Sequence, residues 1–192
     1  INGIDIYRHP LPHEASGGLG YLFEYSTALF WEFILTFRIN LKNRIHIIHG
    51  CCPPDLIFLV AIPFRFLGTR YVFDHHDLSP ELYHTKFKRK GLFHKLLTWF
   101  EKGTFSLASY SIATNNSFKQ IAIDRGGMKP ENVQVVRSGP DLNRLRIQKP
   151  LPELKRGKKF LIGYLGIIAE QDGLDLLMRI ARILKDRRND IQ

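Results

Sequence analysis

The feature that most constrains the fold is a regular alternation of short apolar runs with longer helical patterns. Each apolar run is nearly continuous, which is typical of a buried parallel strand rather than of a half-exposed strand. Strands are predicted at residues 4–7, 45–48, 71–73, 111–113 and 133–136. Because a helical pattern fills each connection, the alternation predicts an α/β fold, a Rossmann-like, doubly wound parallel sheet covered by helices on both faces.

The predicted helices carry recognisable start signals. Pro53 and Pro54 open one helix, where the missing proline N–H has no partner to lose. Asn115 or Asn116 is expected to cap the helix over 117–125. Helices are predicted over 21–41, 53–68, 80–87, 92–107 and 117–125.

The composition changes after residue 145. Residues 146–158 are polar, basic and proline-bearing, with no hydrophobic period, which is typical of an interdomain linker. A new apolar run at 160–166 then precedes a helical pattern at 173–185. One strand and one helix cannot bury their own apolar faces, so we expect a second Rossmann-like domain to begin there. The predicted organisation is a first domain over 1–145, the linker, and an incomplete domain over 159–192.

The net charge and the cysteine content limit the candidate binding partners and indicate the cellular compartment. The formal net charge of +10 favours a nucleotide diphosphate, an anionic lipid headgroup or a nucleic acid, although a solvated basic face gives the same composition. Cys51 and Cys52 are adjacent and poorly placed to pair, which favours a reducing, cytoplasmic compartment. The apolar stretch at 21–39 contains Glu24 and Glu32, so it predicts a buried or surface-bound helix rather than a membrane span.

Candidate functional residues follow the predicted strands, because ligands bind outside the carboxyl ends of an open parallel sheet. These segments are residues 49–52, 74–79, 114–117, 137–141 and 166–173. The densest begins Asp74-His75-His76-Asp77, which could bind a metal, transfer protons or contact a phosphorylated ligand. Adjacent histidines on an extended segment point to opposite sides, so we expect no metal. Alternatively, one histidine packs against a helix and the aspartates cap the next turn.

Three motifs occur along the chain in the order found in a known family. Residues 73–82, FDHHDLSPEL, resemble the HD-L-x-P-E segment of glycosyltransferase family 4. Residues 136–142, VRSGPDL, resemble its NGVD segment, and residues 163–175 resemble the G-x-x-G … E-K-G-x-D opening of its second domain. The resemblance spans nearly the whole chain and includes features of a bacterial subgroup that builds lipid-linked or capsular polysaccharide.

The resemblance implies a retaining, nucleotide-sugar-dependent glycosyltransferase of GT-B architecture, with its cleft between two Rossmann-like domains. Carried over by position, His76 is the catalytic residue that approaches the donor sugar and stabilises the departing diphosphate. Asp77 would orient the loop that holds it. The acceptor-side cleft would contain Glu81, Asn115 and Ser138.

On the donor side, the resemblance assigns Gly166, Gln171 and Gly173 to the nucleotide diphosphate. Backbone N–H groups and a helix start favour an anion there. The family usually has arginine and lysine where this chain has Ile167 and Asp172, and an acid at the second position repels a diphosphate unless another group compensates. The nucleotide-sugar is a substrate, and neither a metal nor a cofactor is implied.

Compared with the family, both ends of the chain look cut. The family's first strand and its glycine-rich loop would precede Ile1, and the carboxylate pair that grips nucleotide and sugar would follow Gln192. We therefore expect residues 1–192 to be inactive on their own.

The acceptor implied is a saccharide or a polyprenyl-linked saccharide. The aromatic helix at 21–37 and the basic region at 86–102 would suit an anionic membrane surface, which predicts a cytoplasmic enzyme at the inner face of a membrane. Two alternatives share part of the pattern. A GT-B sugar-nucleotide epimerase or phosphorylase has the same architecture. A basic nucleic-acid-binding α/β module matches the charge, but the chain lacks a recognition helix with clustered arginines, so we expect no nucleic-acid partner.

Overall fold

The structure, a computed structural model, describes residues 3–10, 17–53, 56–88, 90–166, 168 and 172–192. The chain divides into two compact units, Ile1–Ser138 and Gly139–Gln192. The first unit contains a parallel sheet and its helices. In the second unit, the described residues form an α-helix, a 3-10 helix (Pro152–Lys155) and a short bridge between extended segments.

The sheet of the first unit has four parallel strands in the order β1-β2-β3-β4. Its strands are β1 (Ile47–Cys51), β2 (Arg70–His75), β3 (Tyr110–Ala113) and β4 (Val133–Val135). Each is rich in β-branched or aromatic residues, which fit a pleated, packed surface. The predicted α/β, Rossmann-like class is confirmed.

The helices lie close to where the sequence places them. They are α1 (Gly17–Lys42), α2 (Phe58–Phe66), α3 (Ser79–Phe87), α4 (Leu92–Leu107) and α5 (Asn116–Asp124) in the first unit, and α6 (Leu174–Arg187) in the second. Asn115 is the residue that caps α5: its side-chain oxygen accepts a hydrogen bond of 3.1 Å from the Phe118 N–H. In the described part of the chain, no helix combines the length and the apolarity needed to cross a membrane.

Two predicted strands differ in the structure. Residues 4–7 alternate like a strand, yet residues 3–10 form none, and Ile4 and Ile6 are exposed. The run at 160–166 forms no strand: it makes a single parallel bridge, Phe160 with Ile191, and a hydrogen bond of 2.9 Å from the Ile162 N–H to the Gln192 carbonyl. A strand needs a neighbour that satisfies its N–H and C=O groups, and an apolar pattern alone does not supply one.

The core lies on one face of the sheet. Tyr71 and Phe73 of β2 are buried with Phe58 of α2, Phe105 of α4 and Ala122 of α5 in a single hydrophobic cluster. A sequential strand order with right-handed crossovers brings the connecting helices to the same face, which explains this cluster. The sequence predicts cover on both faces, but on the opposite face of the described sheet Ile47 and Tyr110 remain exposed.

The chain turns tightly after α5, close to α4. Gly126 follows α5, and a Cβ atom there would lie 2.5 Å from both the Ala122 carbonyl oxygen and the Phe105 ring. Only glycine allows this approach, so Gly126 lets the end of α5 lie close to the central aromatic cluster.

The α-helix of the second unit, α6, has no buried residue. Leu176, Met178, Ile180 and Ile183 on this helix are exposed apolar side chains. The bridge near its end is held by hydrogen bonds of 2.9 Å from the Phe160 N–H to the Asp190 carbonyl and from the Gln192 N–H to the Phe160 carbonyl. The described residues of this unit therefore leave apolar surface without cover, as the sequence pattern predicts for one helix and one apolar run.

Candidate functional site

The predicted acceptor-side residues lie beyond the carboxyl ends of neighbouring parallel strands. His76 and Asp77 follow β2 directly, Asn115 is two residues after β3, and Ser138 is three residues after β4. Carboxyl ends of parallel strands share one edge of the sheet, and ligands bind at that edge in folds of this type.

The two adjacent histidines point to opposite sides of the sheet. His75 is 1% exposed and its ring lies 4.9–5.4 Å from the rings of Phe73, Phe105 and Phe118. Burial, reinforced by the nearby Arg125 guanidinium, lowers the pKa of His75 to about 4. His75 is therefore a neutral core residue at physiological pH, which confirms the interpretation that one histidine packs against helices.

His76 faces the opposite side, at the open edge of the sheet. Its side chain is 43% exposed, and its Nε2 atom lies 3.1 Å from the Asp74 Oδ1 atom. It is therefore the histidine of the pair that solvent and a ligand can reach.

Asp74 is the centre of a small polar cluster at the ends of β1 and β2. Its Oδ2 atom lies 3.1 Å from the His49 Nε2 atom and 3.8 Å from the Cys51 Sγ atom, and its Oδ1 atom contacts His76. Burial and the neighbouring Asp74 carboxylate raise the pKa of the Cys51 thiol. We call His49, Cys51, Asp74 and His76 the edge cluster. The sequence places all four in candidate segments but does not bring them together, because the pairing of Cys51 with Asp74 depends on a strand register that the sequence does not reveal.

Cys52 holds the loop that carries His76 and Asp77. Its sulfur is buried and accepts hydrogen bonds of 3.3 Å from the His76 N–H and 3.4 Å from the Asp77 N–H. The Cys52 N–H donates to the Asp74 carbonyl at 3.3 Å. The Cys52 thiol therefore orients the backbone of the candidate catalytic residues.

Glu81 is held by an ion-pair network between three helices. Arg125, just after α5, donates to Glu81 of α3 at 3.2 Å and to the buried Glu101 of α4 at 2.7 Å. Burial alone would raise the pKa of Glu81, but the hydrogen bonds from Arg125 outweigh it and lower that pKa. The structure therefore gives Glu81 a role in joining α3 to α5, and its place in an acceptor cleft stays a prediction.

Asn115 and Ser138 are placed at the same edge by different means. The Asn115 side chain caps α5 and its amide donates to the Thr114 hydroxyl at 3.4 Å. Ser138 is exposed at the end of the first unit. Neither contacts the edge cluster through a described hydrogen bond, so their roles toward an acceptor remain predictions.

The predicted donor-side residues lie in the second unit. Gly166 packs closely on its own segment, since a Cβ atom there would lie 2.7 Å from the Tyr164 hydroxyl oxygen. Gly173 precedes α6 with a φ of +65°, a conformation that favours glycine. Gln171 lies outside the described residues. Asp172 is exposed beside the start of α6.

Together, the parallel sheet and the polar residues beyond its carboxyl edge define a Rossmann-like ligand-binding domain. The sequence model of Glycosyltransferase Family 4 matches residues 7–144, more than half of the chain. The chain belongs to Glycosyltransferase Family 4. Its substrates are therefore, in general terms, a sugar donor and an acceptor. Neither an epimerase or phosphorylase nor a nucleic-acid-binding module is supported by this match. No curated protein matches the chain.

Proposed function

We propose that the chain carries the acceptor-side domain, and the beginning of the donor-side domain, of a retaining glycosyltransferase. The enzyme transfers a sugar from a nucleotide-sugar to a saccharide or a polyprenyl-linked saccharide. The observation that supports this most directly is His76, a solvent-reachable imidazole immediately beyond β2 in a chain of this family.

The chemistry asked of His76 is stabilisation of charge on the leaving diphosphate. As the bond between sugar and diphosphate breaks, negative charge builds on the diphosphate oxygens, and a preorganised N–H donor is most effective there. The Cys52 sulfur fixes the backbone of residues 76 and 77, and the Asp74 carboxylate orients the imidazole from 3.1 Å. Because the Asp74 carboxylate accepts from the Nε2–H, the donor to the reacting group is the Nδ1–H, which the ring carries in its imidazolium form.

On the donor side, the start of α6 is the proposed place for the nucleotide diphosphate. Gly173 is the N-cap of this helix and has no side chain to cap it, and the first N–H groups of a helix favour an anion. Gly166 and Gln171 complete the donor-binding residues in this proposal. The acidic residue at 172 opposes a diphosphate, so this proposal requires a basic group or a metal ion that offsets its charge.

An anionic membrane surface is the proposed location of the acceptor. Phe23, Phe30 and Phe37 of α1 recur every seven residues, which places them on one face of the helix, and all three are exposed. Exposed aromatic residues on one helix face, in a protein of net charge +10, are features of helices that lie at an anionic interface. The enzyme then works at the cytoplasmic face of a membrane.

The membrane proposal is tested with the complete protein in vesicle cosedimentation. We expect binding to vesicles with anionic lipid and little binding to neutral vesicles. The double substitution Phe30→Ala with Phe37→Ala should reduce binding, whereas Phe66→Ala, which removes an exposed phenylalanine from α2, should not. Equal, negligible sedimentation with both vesicle types would contradict the proposal.

The transferase proposal is tested by analysing the products of the complete protein with a panel of nucleotide-sugars. Release of nucleoside diphosphate should require an acceptor, and the anomeric configuration of the product should equal that of the donor. An epimerised nucleotide-sugar formed without acceptor, or a sugar phosphate formed from a glycoside and phosphate, would contradict transfer and identify the other GT-B reactions.

A further inference from the structure

We propose that His49, Cys51 and Asp74 form a binding site for a thiophilic divalent metal ion such as Zn²⁺. The three residues each offer one ligand atom, and these atoms lie within 4.8 Å of one another. The inference replaces the expectation, drawn from the sequence, that the protein binds no metal.

The geometry of the three donors is close to that of a zinc site. Donor atoms around tetrahedral zinc lie ~3.3–3.8 Å apart, which follows from bond lengths of ~2.0–2.3 Å. The His49 Nε2 and Cys51 Sγ atoms are already 3.1 and 3.8 Å from the Asp74 Oδ2 atom. His49 and Cys51 are exposed, so a small rotation of either side chain brings the remaining pair of donors into range.

The sheet preorganises this site. The register pairs Cys51 of β1 directly with Asp74 of β2, and His49, two residues before Cys51, points to the same face. Ligands on regular strands are held more accurately than ligands on loops. The three side chains therefore converge without any rearrangement of the backbone.

The donor chemistry selects the metal. An imidazole, a thiolate and one carboxylate suit zinc and similar transition metals, whereas magnesium and calcium prefer oxygen ligands. On binding, the Cys51 thiol loses its proton to water and the sulfur bonds to the metal. Three protein ligands at an exposed position leave a fourth coordination site open to water or to a ligand.

His76 lies next to this site without being required for it. It contacts the other Asp74 oxygen, Oδ1, and so acts as a supporting partner that orients the carboxylate. Metal bound at Oδ2 would share this carboxylate with His76, which couples the metal site to the proposed catalytic residue. The metal site itself rests on His49, Cys51 and Asp74 and not on the proposed sugar transfer.

The test measures metal binding by the complete protein without any sugar substrate. After removal of metal with a chelator, Zn²⁺ is titrated by calorimetry, and Co²⁺ is added to detect the charge-transfer absorption of a cobalt–thiolate bond. We expect one equivalent of Zn²⁺ and a cobalt–thiolate band. Cys51→Ser should abolish the band. His49→Ala should weaken Zn²⁺ binding by at least about tenfold, because the loss of a residue that only supports a metal ligand already costs that much affinity.

The matched control is His46→Ala, which removes an exposed imidazole three residues before His49. Its Zn²⁺ affinity should equal that of the wild type, and circular dichroism should show all variants folded. Absence of Zn²⁺ binding, a missing cobalt–thiolate band, or equal losses in His46→Ala and His49→Ala would each overturn the proposal. Because no substrate is present, none of these outcomes bears on the transferase reaction.

Discussion

The two faces of β2 perform different tasks within six residues. On the covered face, Tyr71, Phe73 and His75 are at most 3% exposed and pack against helices. On the open face, Asp74 joins two imidazoles and a thiol at the strand end, and His76 follows in the loop. Because successive side chains of a strand point to opposite faces, alternate residues of β2 pack in the core or lie at the candidate site.

This comparison explains why the adjacent histidines His75 and His76 have different roles and do not bind one ligand together. Burial among aromatic rings keeps His75 neutral, whereas His76 stays in reach of solvent and of a carboxylate. Identical side chains thus differ because the sheet places them in different environments, and substitutions on the two faces should differ in the same way.

The largest expected effect on the free energy of unfolding comes from removing a buried side chain on the covered face. Phe105→Ala removes a buried ring that packs 5.2 Å from both Phe73 and His75, so it should lower the free energy of unfolding by about 3–5 kcal/mol. Denaturant unfolding measures this change. The matched control, Phe66→Ala, removes a phenylalanine that is 88% exposed and should change the free energy by less than about 0.5 kcal/mol. Equal losses in both variants would contradict the assignment of the core to this face.

The next effect concerns the ion pairs that join the helices of the covered face. Arg125→Met leaves the buried Glu101 carboxylate without its guanidinium partner and should lower the free energy of unfolding by about 3 kcal/mol at neutral pH. Glu81→Gln keeps the Arg125–Glu101 pair and should have a smaller effect. Because the folded pKa of Glu81 is lowered, its contribution is present at neutral pH and is lost as the pH falls through that pKa. The free energies of wild type and Glu81→Gln should therefore converge in acid, and a constant difference would contradict this.

A smaller effect on the free energy of unfolding comes from the buried His75, and it depends on pH. The folded pKa of His75 is about 4, below that of an unfolded histidine, so the unfolded chain binds the proton more readily and stability falls as the pH falls toward 4. Between about pH 8 and pH 5 this histidine should account for about 2 kcal/mol of lost stability. Glu101, 4.0 Å from its ring, and Arg125 face the same group. The free energy of unfolding of His75→Phe, measured over this pH range, should not show that loss. A pH profile equal to that of the wild type would show that His75 is not the titrating group.

The smallest expected effect is on the open face. His49→Ala removes an imidazole that is 49% exposed, so the free energy of unfolding should change by less than about 0.5 kcal/mol. Denaturant unfolding measures this change, and His46→Ala is the control for the loss of an exposed imidazole. A loss of several kcal/mol in His49→Ala alone would show that the edge cluster is needed for folding.

The strands and helices of the first unit could be predicted because their local patterns agree with the packing. The apolar runs of β2 and β3 are covered by helices, and Asn115 caps α5 through its own side chain. The opposite directions of His75 and His76 also follow from the extended backbone alone. These features depend only on residues close together in the sequence.

The remaining features depend on contacts between distant residues. Residues 4–7 have the pattern of a strand but form none in the structure, and the run at 160–166 makes only a short pairing with residues 190–192. The edge cluster needs the register that sets Cys51 against Asp74, 23 residues away. A His-x-Cys pair after one predicted strand and an Asp-x-His pair after the next is the signal that could have indicated it.

The most direct test of the central claim is the turnover of His76→Ala in the complete protein with saturating donor and acceptor. Because His76 is proposed to stabilise the transition state, kcat should fall by about 100-fold or more with little change in KM. The free energy of unfolding should stay within about 0.5 kcal/mol of the wild type, since the side chain is half exposed. A His76→Ala enzyme with wild-type kcat would contradict the proposal that the open face of β2 carries the chemistry.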